Sequence, residues 1–215
     1  MKYYFGDDRN EVQVGVDEAG RGSLAGPVFA AAVIWNPDID ASQIKDSKKL
    51  SKKKRNELRL YIEKNATAFS VSSCDHEIID NINILQATFC AMHRCLKNVD
   101  TTFERIIVDG DKFNPFMCYI HDCIPHGDDQ YISIAAASIL AKTHHDEWIE
   151  SKCIEYTDLN WKYKWSTNMA YGTKAHRDGI LMHGISQFHR KTFCKKFSTR
   201  QVTLVEEQDD QVLSS

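Results

Sequence analysis

The sequence predicts an α/β domain built on a mixed β-sheet, on three observations. Two apolar strands open the chain, and helices are interspersed among the later strands. No internal repeat or low-complexity linker interrupts the chain before about residue 155. Residues 1–155 therefore read as one catalytic-sized domain. Residues 156–202 read as a small C-terminal helical part packed on it, and 203–215 as an acidic tail without a core.

The first strand is carried by Val12, Val14 and Val16, alternating with Gln13 and Gly15, and it runs straight into Asp17-Glu18. Gly20, Gly22, Gly26 and Pro27 follow, so the chain must turn there or admit something close to its backbone. Val28 to Trp35 is a second apolar strand, ended by Asn36-Pro37-Asp38. Ser51 suits the N-cap of a helix from about Lys52 to Lys64, with Leu58, Tyr61 and Ile62 on one face. Ala66 to Ser72 alternates as a strand. Asp75 begins a short helix and Asn83 a longer one, reaching about Leu96. Arg105 to Gly110 is a buried-type strand ending in Asp109, and Met117 to Ile124 is a further strand before Pro125-His126-Gly127-Asp128-Asp129. Ile134 to about Ile154 is a long helix whose Ala135-Ala136-Ala137 permits close packing. Trp161 to Trp165 reads as irregular, and a last helix spans about Thr173 to Met182.

Composition narrows the function classes. Hydrophobic (42%) and charged (27%) fractions are those of a globular protein, and 215 residues suffice for a sizeable core. No apolar run approaches about 18 residues, and the N-terminus turns acidic at Asp7-Asp8, unlike a secretory signal. Seven scattered cysteines without a CxxC pair point to reduced thiols in a cytoplasmic protein rather than a zinc site. The net charge of −3 conceals basic runs at Lys45–Arg55 and His189–Arg200 and an acidic cluster at Glu206–Asp210. Each run alone suits the solvated face of a helix. Together with clustered acids they suit an enzyme of nucleic acids.

Three separate segments end in acids: Asp17-Glu18, Asp109 and Asp128. Neighbouring strand ends lie side by side in an open sheet, so acids far apart in sequence can converge. Such a group of carboxylates needs cations. With two Mg²⁺ or Mn²⁺ ions about 3.5–4 Å apart it becomes a site for in-line attack on a phosphodiester.

At this point the residues resemble a family. Asp17-Glu18-Ala19-Gly20-Arg21-Gly22, Asp46-Ser47-Lys48-Lys49-Leu50, Asn83-Ile84-Leu85 and Val108-Asp109-Gly110 occur in the order seen in type 2 ribonuclease H, ribonuclease HII, of bacterial type. Ala135 to Lys142, Tyr171-Gly172-Thr173-Lys174 with His176, and His189-Arg190 continue the series, so the resemblance spans about residues 12–193. It implies a ribonuclease H-like fold and hydrolysis of RNA in RNA–DNA hybrids. It also implies nicking of duplex DNA 5′ of a single embedded ribonucleotide, leaving 3′-hydroxyl and 5′-phosphate ends, in the service of ribonucleotide removal. By resemblance the catalytic, metal-binding acids are Asp17, Glu18, Asp109 and Asp128. The loop Gly20-Arg21-Gly22 contacts the 2′-hydroxyl at the RNA–DNA junction, and Tyr171 stacks on the following deoxyribose.

Elementary chemistry suits these roles. Backbone groups can read a 2′-hydroxyl only where the chain approaches closely, as glycines permit. Arg21 offers a planar cation for the neighbouring phosphate. A tyrosine ring pressed on a sugar carbon excludes a hydroxyl there. Lys48 and Lys49 are candidates for phosphate contact.

The chain departs from the family pattern in places. Ser23 stands where proline is usual, and His126 where lysine usually precedes the fourth acid by two residues. Thr143-His144-His145-Asp146 stands where threonine-arginine-aspartate is common. Asp146 is expected as an acid supporting the site, and His144 and His145 as exposed on the long helix. His176 and His189 suit either phosphate contact or packing, and Trp161, Tyr163 and Trp165 suit packing over a stacking platform. Two other readings stand beside the main one: another two-metal nuclease, and an RNA–DNA hybrid-binding module without catalysis. A monomer is expected.

Overall fold

The computed structural model describes residues 1–45 and 47–197; Asp46, the end of the 156–202 segment and the whole 203–215 tail lie outside the described residues. Five strands, β1 (Gln13–Ala19), β2 (Val28–Ile34), β3 (Ala68–Cys74), β4 (Arg105–Asp109) and β5 (Ile120–Ile124), form one sheet in the order β3-β2-β1-β4-β5. The pairs β1–β2 and β2–β3 are antiparallel, whereas β1–β4 and β4–β5 are parallel, so the sheet is mixed as expected. Helices α1 (Lys52–Asn65), α2 (His76–Asn98), α3 (Ile132–Glu155), α4 (Thr157–Tyr163), α5 (Trp165–Asn168) and α6 (Lys174–His183) flank it, and residues 191–197 are also helical.

The sheet is buried on both faces, which is why its central strands read as near-continuous apolar runs. Val14, Val16, Ala30, Ala32, Ile106 and Val108 pack under α2. Ala31 and Val33 pack on the other face, under α1 and the alanine-rich stretch of α3. A Cβ on Gly15 would lie 2.4 Å from the Ser133 carbonyl carbon, so only glycine lets α3 settle this close to β1. The long helix is thereby fixed beside the strand that carries Asp17.

Several boundaries differ from the sequence expectation for local reasons. The two helices expected at Asp75 and Asn83 are one helical stretch broken at Asn83 (φ 67°, ψ 165°), whose Oδ1 accepts the N–H groups of Leu85 and Gln86. Strand β3 begins at Ala68 rather than Ala66 because the Ala66 N–H closes α1 on the Ile62 carbonyl. Strand β5 begins at Ile120, since Met117 turns with φ 51°. Ser51 caps α1 as expected, and Thr173 proves to be the cap of α6 rather than its first residue. The stretch expected as irregular contains α4 and α5.

A third apolar cluster joins Leu24, Ala25 and Ile149 to Leu159, Tyr163, Trp165, Ala170 and Ile180. Trp165 is fully buried and Trp161 is 58% exposed, so the alternating aromatics face different ways. This cluster seats residues 157–197 on the glycine-rich loop after β1.

Candidate active site

Asp17 and Glu18 share the end of β1 but point to opposite faces. Asp17 lies on the α3 face, within hydrogen-bonding reach of Ser138. Strands β1 and β4 are parallel with Val16 opposite Val108, so the next residue on each, Asp17 and Asp109, meet at the sheet edge. Asp128 arrives on a 3-10 turn, Gly127–Asp129, between β5 and α3. Asp17, Asp109 and Asp128 each place one carboxylate oxygen within 4.8 Å of the others. The Gly127 N–H donates to Asp109 Oδ1 (2.7 Å), tying turn to strand. The Glu18 N–H donates to Asp17 Oδ1 (2.7 Å).

Glu18 stands apart from this trio. Its Oε1 accepts from Arg21 Nη1 (3.2 Å), and it lines a pocket of about 270 Å³ with Arg21, Thr88, Asp109, Asp111 and Lys112. Lys48 Nζ reaches Asp128 Oδ2 (3.2 Å), and Lys49 pairs with Asp129. Asp128 is buried and its neighbour Asp129 exposed, so the geometry selects Asp128 for the cluster. His126 is exposed, in the left-handed region at φ 56°.

The acids are electrostatically frustrated. Burial, with the charges of Glu18 and Asp109, raises Asp17 well above the usual carboxylate range. Burial raises Glu18, assisted by Asp109 and opposed by Arg21, and burial with the charge of Asp128 raises Asp109. Like-charged buried carboxylates that resist ionisation fit a hard divalent cation, whose oxygen donors they supply. The donor set contains no thiol, which suits Mg²⁺ or Mn²⁺ rather than zinc.

The loop beyond β1 continues directly from the strand that carries Asp17 and Glu18. Gly20 has φ 88°, and a Cβ there would come within 2.5 Å of the His145 ring, so glycine is required twice over. A Cβ on Gly22 would meet only the Tyr171 ring at 3.7 Å, an ordinary contact. Ser23 bridges to Tyr171, which brings the loop and the expected stacking tyrosine together. Lys142 Nζ sits 5.0 Å from the Tyr171 ring centre.

One expectation about the histidines needs revision, and one open alternative is decided. His145 is fully buried, not exposed on α3: its Nε2 lies 3.2 Å from Ser23 Oγ and its Nδ1 3.0 Å from Asp146 Oδ1. It supports the loop from below. His176 and His189 are also fully buried, and they pack rather than reach for phosphate. Trp165 Nε1–H can only donate, so His176 Nε2 accepts it (3.1 Å) and His176 Nδ1 carries the proton toward the Tyr171 carbonyl (3.1 Å). His189 Nδ1 accepts the Ser186 N–H (2.8 Å), leaving its Nε2 to donate to His176 (3.0 Å). Burial holds His176 down at about 4 and His189 at about 3, the second helped by its neighbour. Asp146 joins the same side of the site, contacting Lys142 (2.8 Å), His145 and Arg55 (3.6 Å). Burial tends to raise its pKa, but the hydrogen bonds from His145 and Lys142 outweigh that and hold it low.

A family model described as ribonuclease HII matches residues 14–196. The chain belongs to the ribonuclease HII family. A ribonuclease HII of Parabacteroides distasonis is 46% identical over 86% of this chain and 92% of its own length. One of Christiangramia forsetii is 48% identical over 83% and 88%. Among solved structures, ribonuclease H2 from Pyrococcus horikoshii OT3 superposes with a TM-score of 0.71 at 21% identity, covering 88% of this chain and 98% of that one. Bst-RNase HIII in complex with Mn²⁺ gives 0.63 at 17% identity, covering 80% and 70%. These two likenesses confirm the fold. As a ribonuclease HII, the chain is an endoribonuclease that acts on RNA–DNA substrates. Among the described residues no helix is long and apolar enough to cross a membrane.

The expected residues of this ribonuclease HII are thus largely assembled around one edge of the sheet. Two contributors were given no function from sequence: His145, hidden by the assumption that a polar helix residue is exposed, and Arg190. Arg190 is fully buried, and its guanidinium reaches the loop carbonyls. Its one trace in the sequence is its place in the His189-Arg190 pair.

Proposed function

We propose that this ribonuclease HII hydrolyses the phosphodiester 5′ of a ribonucleotide, both in hybrids and at single ribonucleotides embedded in duplex DNA, leaving 3′-hydroxyl and 5′-phosphate ends. The observation that carries the reading is the convergence of Asp17, Asp109 and Asp128 within 4.8 Å. Asp17, Asp109 and Asp128, with Glu18 alongside, would hold Mg²⁺ or Mn²⁺. Such a pair of ions would supply activation of a water and charge stabilisation at the leaving 3′ oxygen. Mn²⁺ in the related Bst-RNase HIII supports a divalent ion of this kind.

The chain's own residues do the rest. Glu18 and Arg21 fix each other, leaving the half-exposed Arg21 head beside the phosphate path. Arg21 and Gly22 are exposed, and their N–H groups would meet a ribose hydroxyl. Tyr171, held by the Ser23 bridge and by the His176 contact to its carbonyl, presents its ring against the next sugar. Lys48 and Lys49, anchored on a 3-10 turn, lie along the acid side and position the duplex without reading its sequence. Residues 156–197 act as a substrate-contacting part rather than an appendage, because they carry Tyr171 and pack the loop.

The test is cleavage of an end-labelled DNA duplex bearing one ribonucleotide, with Mg²⁺ or Mn²⁺, beside all-DNA and long-hybrid duplexes. The expected result is one nick 5′ of the ribonucleotide, absent from all-DNA and from Asp109→Asn protein. Cleavage of the long hybrid alone would overturn the roles given to Gly20-Arg21-Gly22 and Tyr171.

A further inference from the structure

Arg190 is the largest charged side chain buried in the described residues, at 0% exposure. Burying a guanidinium is costly unless its protons are satisfied, and arginine ordinarily meets a carboxylate there. Here, among the described residues, no carboxylate forms an ion pair with it. Its partners are three backbone carbonyls of one loop: Nε donates to Gly26 (3.0 Å), Nη1 to Arg21 (2.9 Å) and Nη2 to Gly20 (2.8 Å). The Arg190 backbone N–H also donates to the Leu24 carbonyl (2.9 Å). One residue near the C-terminal end of the described chain thus gathers four carbonyls from residues 20–26.

This has a consequence for the groups that face outward. Among the described residues no peptide bond is cis, so each C=O points away from the N–H of the following residue. Turning the Gly20 and Arg21 carbonyls inward to one guanidinium turns the N–H groups of Arg21 and Gly22 outward. Those two residues are exposed, and among the described residues no protein group accepts from either N–H. A second buried support, His145 on Ser23 Oγ, fixes the far end of the same turn.

We infer that Arg190 is a positioning residue for ribose recognition: its planar fork sets the two peptide planes whose N–H groups read the 2′-hydroxyl. The inference rests on the proposed reading of the Gly20-Arg21-Gly22 loop. Lysine at 190 would keep the charge but not the fork, because an ammonium cannot hold three carbonyls in one plane.

The experiment compares two duplexes that differ only at the 2′ position, carrying either a ribonucleotide or its 2′-fluoro analogue, whose fluorine is a far weaker acceptor for the two N–H groups. The wild type should cleave the ribonucleotide far faster. Arg190→Lys should lower that rate roughly 100-fold, as expected for a misplaced recognition group, and shrink the ratio between the two substrates. A variant that loses activity equally on both, or keeps the wild-type ratio, would overturn the inference while leaving the loop reading intact. A wild type indifferent to the fluorine would instead sink the loop reading itself. Should Arg190→Lys melt below the assay temperature, the test moves to ¹⁵N-labelled wild type titrated with each duplex in Ca²⁺. Amide shifts at Arg21 and Gly22 specific to the ribonucleotide, accompanied by a shift of the Arg190 Nε–H that donates to Gly26, support the inference; ribonucleotide-specific amide shifts that leave the Arg190 Nε–H unmoved overturn it.

Discussion

The two sides of the active-site edge are built on opposite principles. On the acid side, Asp17, Glu18 and Asp109 are all pushed above their ordinary range, and the nearest counter-charges are exposed side chains such as Lys48. On the loop side, the buried charged and imidazole side chains are partnered: Arg190 on carbonyls, His145 on Ser23 and Asp146, and His176 and His189 on each other and on Tyr171 and Ser186. The first arrangement is unstable until something positive enters. The second is already complete and works by holding shape. On the proposed function, catalysis and recognition would thereby be separated: frustration would mark where ions and the phosphate go, and saturation what must not move.

Neutralising the frustrated side should have the largest effect. Asp109→Asn should lower cleavage by about 1000-fold or more while leaving the fold intact, because electrostatic preorganisation is the main catalytic resource here. Measured in single turnovers, retention of more than a tenth of the wild-type rate would contradict the role given to Asp109.

Within the loop, the two glycines separate recognition from stability. Gly22→Ala meets only an ordinary contact with Tyr171, so its melting temperature should stay close to wild type while cleavage of the single-ribonucleotide duplex drops roughly 100-fold. Gly20→Ala combines a left-handed φ with a clash on His145, and should cost about 2–4 kcal/mol in urea unfolding. If Gly22→Ala were the more destabilising of the two, the contrast between an open and a sealed loop face would fail.

The saturated side predicts an acid limb in stability. His176 and His189 have folded pKa values depressed to about 4 and about 3, below the unfolded value near 6.5. The unfolded chain therefore binds more protons, and stability falls as pH drops through 6.5 toward 4. His189→Gln should flatten that limb of the melting curve. At the small end, Trp161→Ala removes an exposed ring and should change unfolding free energy by no more than about 0.5 kcal/mol, without altering cleavage.

Much of this contrast could be read before any coordinates. Strand alternation and ordered motifs located Asp17, Asp109 and Asp128 because parallel strands place their ends side by side. Glu18 was grouped with them by adjacency, but strand alternation turns it to the other face, beside Arg21. The kink at Asn83 was legible as a helix start because asparagine caps. His145 and Arg190 were not legible. Whether a polar side chain lies inside depends on elements that pack on it from far along the chain, and composition carries no trace of that. Ser23 and His145 each looked like an isolated departure from the family pattern, yet they meet through a hydrogen bond across 122 residues.

The central claim is that the acid edge is held in a strained, cation-requiring state, and thermal melting of wild type and Asp17→Asn with chelator or Mn²⁺ tests it most directly. A carboxyl whose folded pKa is raised lowers stability progressively as pH climbs from its unfolded value toward the folded one, so at pH 7.5 with chelator the variant should melt higher than wild type. Added Mn²⁺ should raise the wild type and close most of that gap, with a smaller shift for Asp17→Asn. A wild type that melts above the variant in chelator and does not respond to Mn²⁺ would contradict the account.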